Sequence, residues 1–260
     1  MISVLLAVHN NFDGMLLKTL ESVGSQSYKD WELVVVNDAS FDDSADIIRT
    51  FKNRFFEKVI IIENEKNVGL TKSLILAAQV ARGSYFARID SGDVFLPKKL
   101  QKQLEYMNNH HDVGVVGCNY VNLGVGERKE IVVPETDDRI RATILKRNPF
   151  AHSCVLMSAN MYKKVGGYDE KILYGQDYDL WFRILRVAKG ANLQEFLCER
   201  NINTESISYR KQKEQMAQCV KTIWKYMNKW NILNYRFFFE PLLVILIPQS
   251  LKEIVRKSLG

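Results

Sequence analysis

Carboxylates recur where apolar segments of this chain end. They do so in three places, Leu33–Asp38, Tyr85–Asp93 and Tyr174–Asp179. In an open α/β sheet the ligand crevice lies beyond the carboxyl ends of the strands, so acids from separate segments can converge on one small polar molecule. Carboxylates placed there can accept hydrogen bonds, bind a hard metal ion or remove a proton. The pattern therefore predicts a site.

The elements that must position these acids alternate between strand and helix. Strand-like runs fall near Ser3–Val8, Trp31–Asn37, Lys58–Glu63, Ser84–Asp90 and Val113–Cys118. Amphipathic, helix-like stretches lie between them at Leu16–Val23, Ser44–Phe55, Leu70–Ala81 and Pro97–Met107. Parallel strands need crossover connections, so this rhythm predicts an α/β fold: a Rossmann-like, doubly wound, mostly parallel sheet with helices on both faces.

The rhythm changes after Asn119, which suggests three regions. Residues 1–118 are expected to bind a nucleotide, residues 119–208 to hold a second substrate, and residues 209–260 to form a helical C-terminal extension. Within the middle region, Leu123–Gly126 predicts a hairpin and a helix is expected from about Asp137, followed by the apolar run His152–Met157.

Composition is that of an ordinary folded protein. The 260 residues are 47% hydrophobic and 25% charged, and a strand-like run begins at Ile2 with no signal peptide ahead of it. The four cysteines are scattered without a C-x-x-C pair, which favours reduced, mostly buried thiols over a disulfide framework or a zinc site. These features predict a cytoplasmic protein.

The basic charge belongs to the C-terminus. Residues 209–260 hold ten Lys or Arg against three acids, whereas residues 1–208 carry a net charge of −1. The apolar run 241–248 is bounded by prolines and is too short to cross a bilayer. Two interpretations stay open: peripheral contact with the inner face of the cytoplasmic membrane, or a packed helix pair or homodimer interface. Nucleic acid is not favoured, because no reading motif accompanies the charge.

From Ser3 to about Ser208 the chain resembles the inverting glycosyltransferases of family 2, which have the GT-A fold, and in particular the bacterial polysaccharide and O-antigen type. The resemblance depends on the order and spacing of several motifs, which are Ser3–Asn10, Leu20–Val23, Gln26–Leu33, Asn37–Ser40, Asn67–Leu70, Arg88–Asp93, Val165–Asp169 and Asp177–Trp181. It implies transfer of a sugar from a nucleotide-sugar, a UDP-sugar, to a glycan or lipid-linked acceptor.

The resemblance also assigns the nucleotide to the ends of the first two strands. Asp38 corresponds to the acid that accepts hydrogen bonds from the base or ribose of the donor, although a helix cap or an Asx turn would explain the same residue. Ala7, His9 and Asn10 are expected to contact the base. For His9 an ordinary loop position remains the alternative.

The diphosphate is expected near two further segments. Asn67 and Gly69 precede a helix whose N-terminal amides would favour an anion. A plain turn with a helix cap would explain the same residues. Arg88 and Lys72 could neutralise phosphate charge. Arg88 also lies inside an apolar strand, so it requires a partner.

The segment Asp90-Ser91-Gly92-Asp93 stands where the family usually has Asp-x-Asp-Asp. The resemblance implies that Asp93 or Asp90 binds Mn²⁺ or Mg²⁺ bridging the phosphates of the donor, and that Ser91 lies at the cofactor site. Gly92 replaces a usual acid, which puts the metal in doubt. The alternative is an acidic turn.

Asp177 matches the general base of the family, which takes the proton of the acceptor hydroxyl. Gln176 stands where Glu is usual, so Asp177 lacks a neighbouring negative charge that would raise its pKa. A helix N-cap is the structural alternative for Asp177. Asp179 is positioned to cap the same helix or to pair with Arg183.

Three departures from the family pattern, at Gly92, Gln176 and Asn203, leave two functions open. One is an active transferase with fewer bonds from protein to metal, and the other is a catalytically silent nucleotide-sugar-binding subunit. A nucleotidyltransferase is less favoured, because Val8–Phe12 is not a glycine-rich basic loop. His152 either lines the acceptor side or serves a structural loop.

Overall fold

The computed structural model describes residues 1–11, 14–124, 127–202 and 211–227. The first part of the chain alternates strands and helices as the sequence predicts. Its elements are β1 (Ile2–Val8), α1 (Leu16–Gly24), β2 (Trp31–Asn37), α2 (Ser44–Arg54), β3 (Val59–Glu63), α3 (Leu70–Val80), β4 (Tyr85–Asp90), β5 (Val94–Phe95) and α4 (Lys99–Asn109).

The second part is mixed. Its elements are β6 (Val113–Gly124), β7 (Glu127–Ile131), α5 (Asp137–Ile144), β8 (Leu156–Ser158), α6 (Ala159–Lys164), α7 (Gln176–Ile184), β9 (Lys189–Asn201) and α8 (Gln212–Tyr226). β6 and β7 pair as the predicted hairpin, and α5 begins at the predicted Asp137. The run His152–Met157 divides into a 3₁₀ turn, His152–Cys154, and the start of β8.

The strands formed by the described residues make one sheet. Its order is β3-β2-β1-β4-β8-β6-β9-β5, with β7 paired to β6. β3, β2, β1 and β4 are parallel neighbours, β8 is antiparallel to β4 and β6, and β6 runs parallel to β9. The sheet is thus mostly parallel, as expected.

Helices cover both faces, which explains the continuous apolar runs in the central strands. All seven residues of β2 are buried. On one face α1, α2 and α4 contribute Leu20, Phe51 and Leu100 to a core cluster. On the other face α3, α5 and α7 contribute a second cluster that includes Leu74, Ile140 and Trp181.

The described part of the C-terminal extension packs against the body of the protein. Val220, Ile223 and Met227, in and just after α8, are buried, and Ile223 and Met227 join the same cluster as Trp181. Residues 228–260, which include the apolar run 241–248, lie outside the described residues. No helix that the described residues form is both long and apolar enough to cross a membrane.

Candidate active site

The register of the parallel strands gathers the predicted donor residues at one edge of the sheet. Ala7 of β1 pairs with Val36 of β2 on one side and with Asp90 of β4 on the other. The loops that follow these strands therefore begin side by side, and they carry His9, Asp38 and Ser91. This is the edge at which an open α/β sheet binds its ligand.

Asp38 is buried and holds the start of α3. Its Oδ1 accepts hydrogen bonds from Asn64 Nδ2 at 2.7 Å and from the Val68 amide at 2.8 Å, and its Oδ2 accepts one from the Gly69 amide at 2.8 Å. A carboxylate oxygen has two lone pairs, so Oδ2 retains capacity for one more donor. Asp38 therefore binds the turn before α3, and it is not the N-cap residue of α2, which is Asp43.

These contacts do not involve the amides predicted to favour a phosphate. The amides of Val68 and Gly69, which bind the Asp38 carboxylate, come before α3, whereas the N-terminal amides of the helix itself begin at Leu70. Asn67 and Lys72 are exposed at the same turn. Gly69 has a φ of +88°, a left-handed backbone conformation that suits glycine.

His9 and Asn10 shape the loop after β2. His9 is exposed, and its Nδ1 donates to the Asp38 carbonyl at 2.8 Å. Asn10 is buried; its amide donates to Ser40 Oγ at 2.9 Å and its Oδ1 accepts from the Phe41 amide at 3.0 Å. Phe41, 82% exposed, meets the His9 ring edge-on with 6.2 Å between ring centroids. An exposed aromatic pair therefore lies at the edge of the sheet where β1 and β2 end.

Arg88 finds the partner that its buried position requires. Its two terminal nitrogens bind both oxygens of Asp90, and Nη1 also donates to Ser153 Oγ at 3.1 Å. Ser153 Oγ in turn donates to Asp90 at 3.0 Å. Asp90 is consequently committed to Arg88, which limits what either residue can offer to a metal or a diphosphate.

Asp93 is the least satisfied acid of the site. Its Oδ1 accepts from the Asn201 amide at 2.9 Å, whereas its buried Oδ2 has no hydrogen-bond partner and lies 3.8 Å from Arg200 Nε. Burial, with the Asp90 charge adding to it, raises the pKa of Asp93 to about 6. Arg200 opposes this rise but does not cancel it.

Thr19 of α1 fixes the turn that carries these acids. Its hydroxyl donates to the Asp93 carbonyl at 2.8 Å and accepts from the Gly92 amide at 2.9 Å. Gly92 has a φ of +98°, so an acid at this position would be strained. The local backbone therefore accounts for the glycine that replaces a usual family acid.

The oxygen atoms at this turn fit a divalent metal ion that a bound molecule would also ligate. Asp93 Oδ2 and the buried Ser91 Oγ both lack a hydrogen-bond partner, and both offer the oxygen that Mn²⁺ and Mg²⁺ prefer. Among the described residues, no three carboxylates or histidines bring their ligand atoms within 4.8 Å of one another. The chain can thus supply one or two ligands, and the remaining ones must come from a bound molecule and water.

Asp177 lies in the first turn of α7, next to the left-handed Gly175. Its Oδ2 accepts a hydrogen bond from Asn148 Nδ2 at 2.8 Å. Burial raises the pKa of Asp177, while amide hydrogen bonds, the Arg88 charge and Asn148 lower it in part.

One six-residue segment, Asn148–Ser153, connects the two acids. Asn148 at its start binds Asp177, and Ser153 at its end binds Asp90. Between them, buried His152 Nε2 lies 2.7 Å from the Tyr168 hydroxyl. Burial, with the charges of Arg88 and Arg200, holds the pKa of His152 well below its usual range. The His152 ring packs edge-on against Tyr168 and Trp181, which fits the structural alternative given for it.

Asp179 anchors α7 to α8. Its buried carboxylate accepts from Arg183 Nε at 2.7 Å, Lys225 Nζ at 3.0 Å and the Tyr226 hydroxyl at 2.9 Å. Arg183 also donates to the carbonyls of Val165 and Gly167. The predicted Asp179–Arg183 pair is present, and it belongs to a larger network.

Several residues of the site gave little signal in the sequence. Ser153, Tyr168 and Arg200 act through contacts with Asp90, His152 and Asp93, which are distant in the chain. An Arg inside a strand segment is the one sign that could have indicated Arg200. Asn203 lies outside the described residues.

Comparison with known sequences gives a consistent result. A family described as "Glycosyl transferase family 2" matches residues 3–166. An uncharacterized glycosyltransferase of Methanocaldococcus jannaschii is 31% identical over 258 residues, which cover 95% of this chain and 88% of that protein. The O-antigen biosynthesis glycosyltransferase WbnJ of Escherichia coli is 30% identical over 245 residues, which cover 90% of this chain and 92% of WbnJ.

Solved structures share the fold at lower identity. TarS 1–349 of S. aureus in complex with UDP-GlcNAc superposes with a TM-score of 0.70 at 18% identity, covering 93% of this chain and 71% of that one. The mannosyltransferase PcManGT of Pyrobaculum calidifontis, in complex with GDP-Man and Mn²⁺, superposes with a TM-score of 0.69 at 14% identity, covering 94% and 69%. Both are similar to this chain in architecture.

Proposed function

The chain belongs to glycosyltransferase family 2, and on that premise we propose that it moves a sugar from a UDP-sugar to a hydroxyl of a glycan or lipid-linked acceptor, with inversion. The observation that carries this proposal is the Asn148–Ser153 segment, which ties Asp177 to the edge where Asp90 ends β4. The same segment therefore contacts both the candidate base and the candidate donor site.

The donor is assigned to the edge formed by β1, β2 and β4. The remaining acceptor capacity of Asp38, together with the exposed rings of His9 and Phe41, suits a nucleoside. The complex of the structural neighbour TarS with UDP-GlcNAc supports UDP as the nucleotide.

Asp93, with Ser91 beside it, is assigned to hold Mn²⁺ or Mg²⁺. The Mn²⁺ in the PcManGT complex and the unpartnered oxygens at this turn support this assignment. When bound with the donor, the ion would offset the charge of the departing diphosphate as a Lewis acid. Asp90 is left to position Arg88 rather than to bind the ion.

Asp177 is assigned the role of general base. The acceptor oxygen attacks the anomeric carbon on the face opposite the departing diphosphate, and Asp177 takes the hydroxyl proton as the new bond forms. The raised pKa of Asp177 makes its carboxylate a stronger base, and Asn148 holds that carboxylate in place. This step inverts the anomeric configuration.

α8 supports the proposal of peripheral membrane contact near a lipid-linked acceptor. Lys213, Lys221 and Trp224 are exposed on this helix, a combination that suits the surface of anionic lipid. Sedimentation with vesicles of anionic phospholipid tests this contact, and light scattering tests the homodimer hypothesis.

The test of the catalytic assignment is Asp177→Asn, with Glu170→Gln, which neutralises an exposed acid, as the control. UDP-sugars with Mn²⁺ should raise the Tm of all three proteins by mass action. With simple glycosides as acceptors, Asp177→Asn should lose about 10²- to 10⁴-fold in UDP release, the usual contribution of a general base. The control should keep wild-type turnover.

Two results would contradict these assignments. If no UDP-sugar shifts the Tm while GDP-sugars do, the nucleotide is wrong. If Asp177→Asn turns over like the wild type, the base is wrong. Donor binding without transfer in the wild-type protein would instead favour the silent binding subunit.

A further inference from the structure

Three cysteines that are far apart in the sequence meet in the core. They are Cys118 on β6, Cys154 in the turn before β8, and Cys198 on β9, and each is at most 1% exposed. Their Sγ atoms all lie within 4.8 Å of one another. The scattered positions in the sequence predicted reduced, mostly buried thiols rather than a disulfide framework or a zinc site, and the fold brings three of these thiols together.

The spacing of the cluster matches the ligands of one metal ion. Three sulfurs placed about 2.3 Å from a central ion in a plane lie about 4.0 Å apart, which the observed limit accommodates. The present hydrogen bonds of the thiols are weak and simple to replace. Cys118 Sγ lies 3.6 Å from the Cys154 carbonyl, and Cys198 Sγ lies 3.3 Å from the Ser153 carbonyl.

A buried cation beside the cluster provides a second, independent observation. Lys99 is fully buried, and no described carboxylate forms an ion pair with it. Its ammonium donates to Gln103 Oε1 at 2.8 Å, approaches the Val155 carbonyl at 3.4 Å and lies 4.0 Å from the centre of the Phe95 ring. A buried charge without an opposite partner is costly, so this position favours negative charge nearby.

The thiols are the groups that can supply this charge, because a thiol ligates a metal ion as its thiolate. Gln103 adds a direct connection, because its Nε2 donates to the Cys154 carbonyl at 2.8 Å while its Oε1 accepts from Lys99.

We propose that Cys118, Cys154 and Cys198 form a three-coordinate thiolate site for one soft, thiophilic divalent metal ion, with Lys99 as its counter-charge. Binding releases the three thiol protons to solvent and changes no oxidation state. A divalent ion with three thiolates has a charge of −1, and the Lys99 ammonium brings the group to neutrality. Because its ligands are soft sulfur atoms, this site should prefer different metal ions from the oxygen ligands at Asp93.

The site would also reinforce the candidate active site. Ser153, whose hydroxyl binds Asp90, lies between His152 and Cys154 in the chain, and its carbonyl accepts from Cys198. An ion held by the three thiols would cross-link β6, β9 and this turn. Metal binding is therefore expected to raise the Tm.

Cd²⁺ is the probe for the test, added to the reduced full-length protein until binding reaches equilibrium. We expect one Cd²⁺ per chain after desalting, a thiolate-to-metal charge-transfer band in the ultraviolet, and three sulfur neighbours by X-ray absorption. Cys198→Ala should abolish the band. Cys219→Ser, which alters the remaining cysteine on α8, should keep it.

The counter-charge has its own pair of variants. Lys99→Met should weaken Cd²⁺ binding at least about tenfold, since it leaves the net charge of −1 on the buried metal–thiolate group without an opposite charge. Lys98→Met, which removes the exposed neighbouring charge, should leave binding unchanged.

Fewer than three sulfur neighbours in the wild-type protein would overturn the proposal, even if a cysteine variant failed to fold. So would a charge-transfer band that survives in Cys198→Ala. None of these measurements depends on the transferase assignment.

Discussion

The two halves of this protein hold their chemistry in different ways. In residues 1–118, the proposed donor half, backbone pairing along β1, β2 and β4 sets the positions of His9, Asp38 and Asp90. In the proposed acceptor half, Asp177 and its surroundings depend on side-chain contacts between segments distant in the chain, such as the Asn148–Asp177 bond. The proposed donor site is therefore built on the sheet, whereas the proposed base is held by a network of side chains that single substitutions can open.

The largest change in the free energy of unfolding is expected at Asp179, where the network of side chains is buried. Asp179→Ala removes the carboxylate that binds Arg183 and Lys225, so it should lower the free energy of unfolding by about 3 kcal/mol, as loss of one member of a buried ion pair does. Urea denaturation measures this change. Asp112→Ala, which opens the exposed Lys189–Asp112 pair, serves as the control and should leave stability nearly unchanged. If both variants lost the same free energy of unfolding, the buried network would contribute no more to stability than an exposed ion pair.

In the proposed donor half, substitution of Asp93 should raise the free energy of unfolding rather than lower it. Its pKa in the folded protein, about 6, exceeds its usual value of 3.8, so the stability gained from its protonated form is present at low pH and lost as the pH rises through about 6. Asp93→Asn is neutral at every pH. It should therefore be more stable than wild type by about 2–3 kcal/mol at pH 8.

Denaturation at several pH values in the presence of EDTA checks this prediction. The stability difference should shrink as the pH falls through 6 and vanish below about pH 4. The same substitution should weaken metal-dependent transfer, because it removes the carboxylate assigned to the ion. A difference that does not change with pH would contradict the burial argument.

The smallest effect is expected at Asn148. Asn148→Ala removes the 2.8 Å hydrogen bond that lowers the pKa of Asp177, so this pKa should rise and the acidic limb of the kcat profile should move to higher pH. The loss in kcat should be about tenfold, the value of one hydrogen bond to a charged group. Asn109→Ala, exposed at the end of α4, is the matched control. An unmoved acidic limb would show that Asn148 does not hold the base.

Sequence patterns predicted the donor half well for a physical reason. Apolar runs that end in acids, such as Leu33–Asp38, identify both the strand and the edge at which it ends, because parallel pairing leaves little freedom in register. The acids Asp38 and Asp90 were therefore placed correctly at one edge. Their partners were not predicted, since the binding of Asp38 to the Val68 and Gly69 amides depends on how the loop before α3 folds back.

The acceptor half was predicted by resemblance more than by pattern. The motif around Asp177 indicated a base at the start of a helix, and α7 begins there. Nothing in the spacing indicated that Asn148 would contact it or that Lys225 and Tyr226 would reach Asp179 from a helix 46 and 47 residues later. Similarly, the cysteine cluster arises from the parallel pairing of β6 and β9 with the turn at Cys154, which no local pattern encodes.

The short link between Asn148 and Ser153 has a consequence for redesign. Because its two ends touch Asp177 and Asp90, inserting or deleting a residue within it would alter the spacing between these two acids. Any redesign of the loops around the two acids should therefore leave this link at its native length.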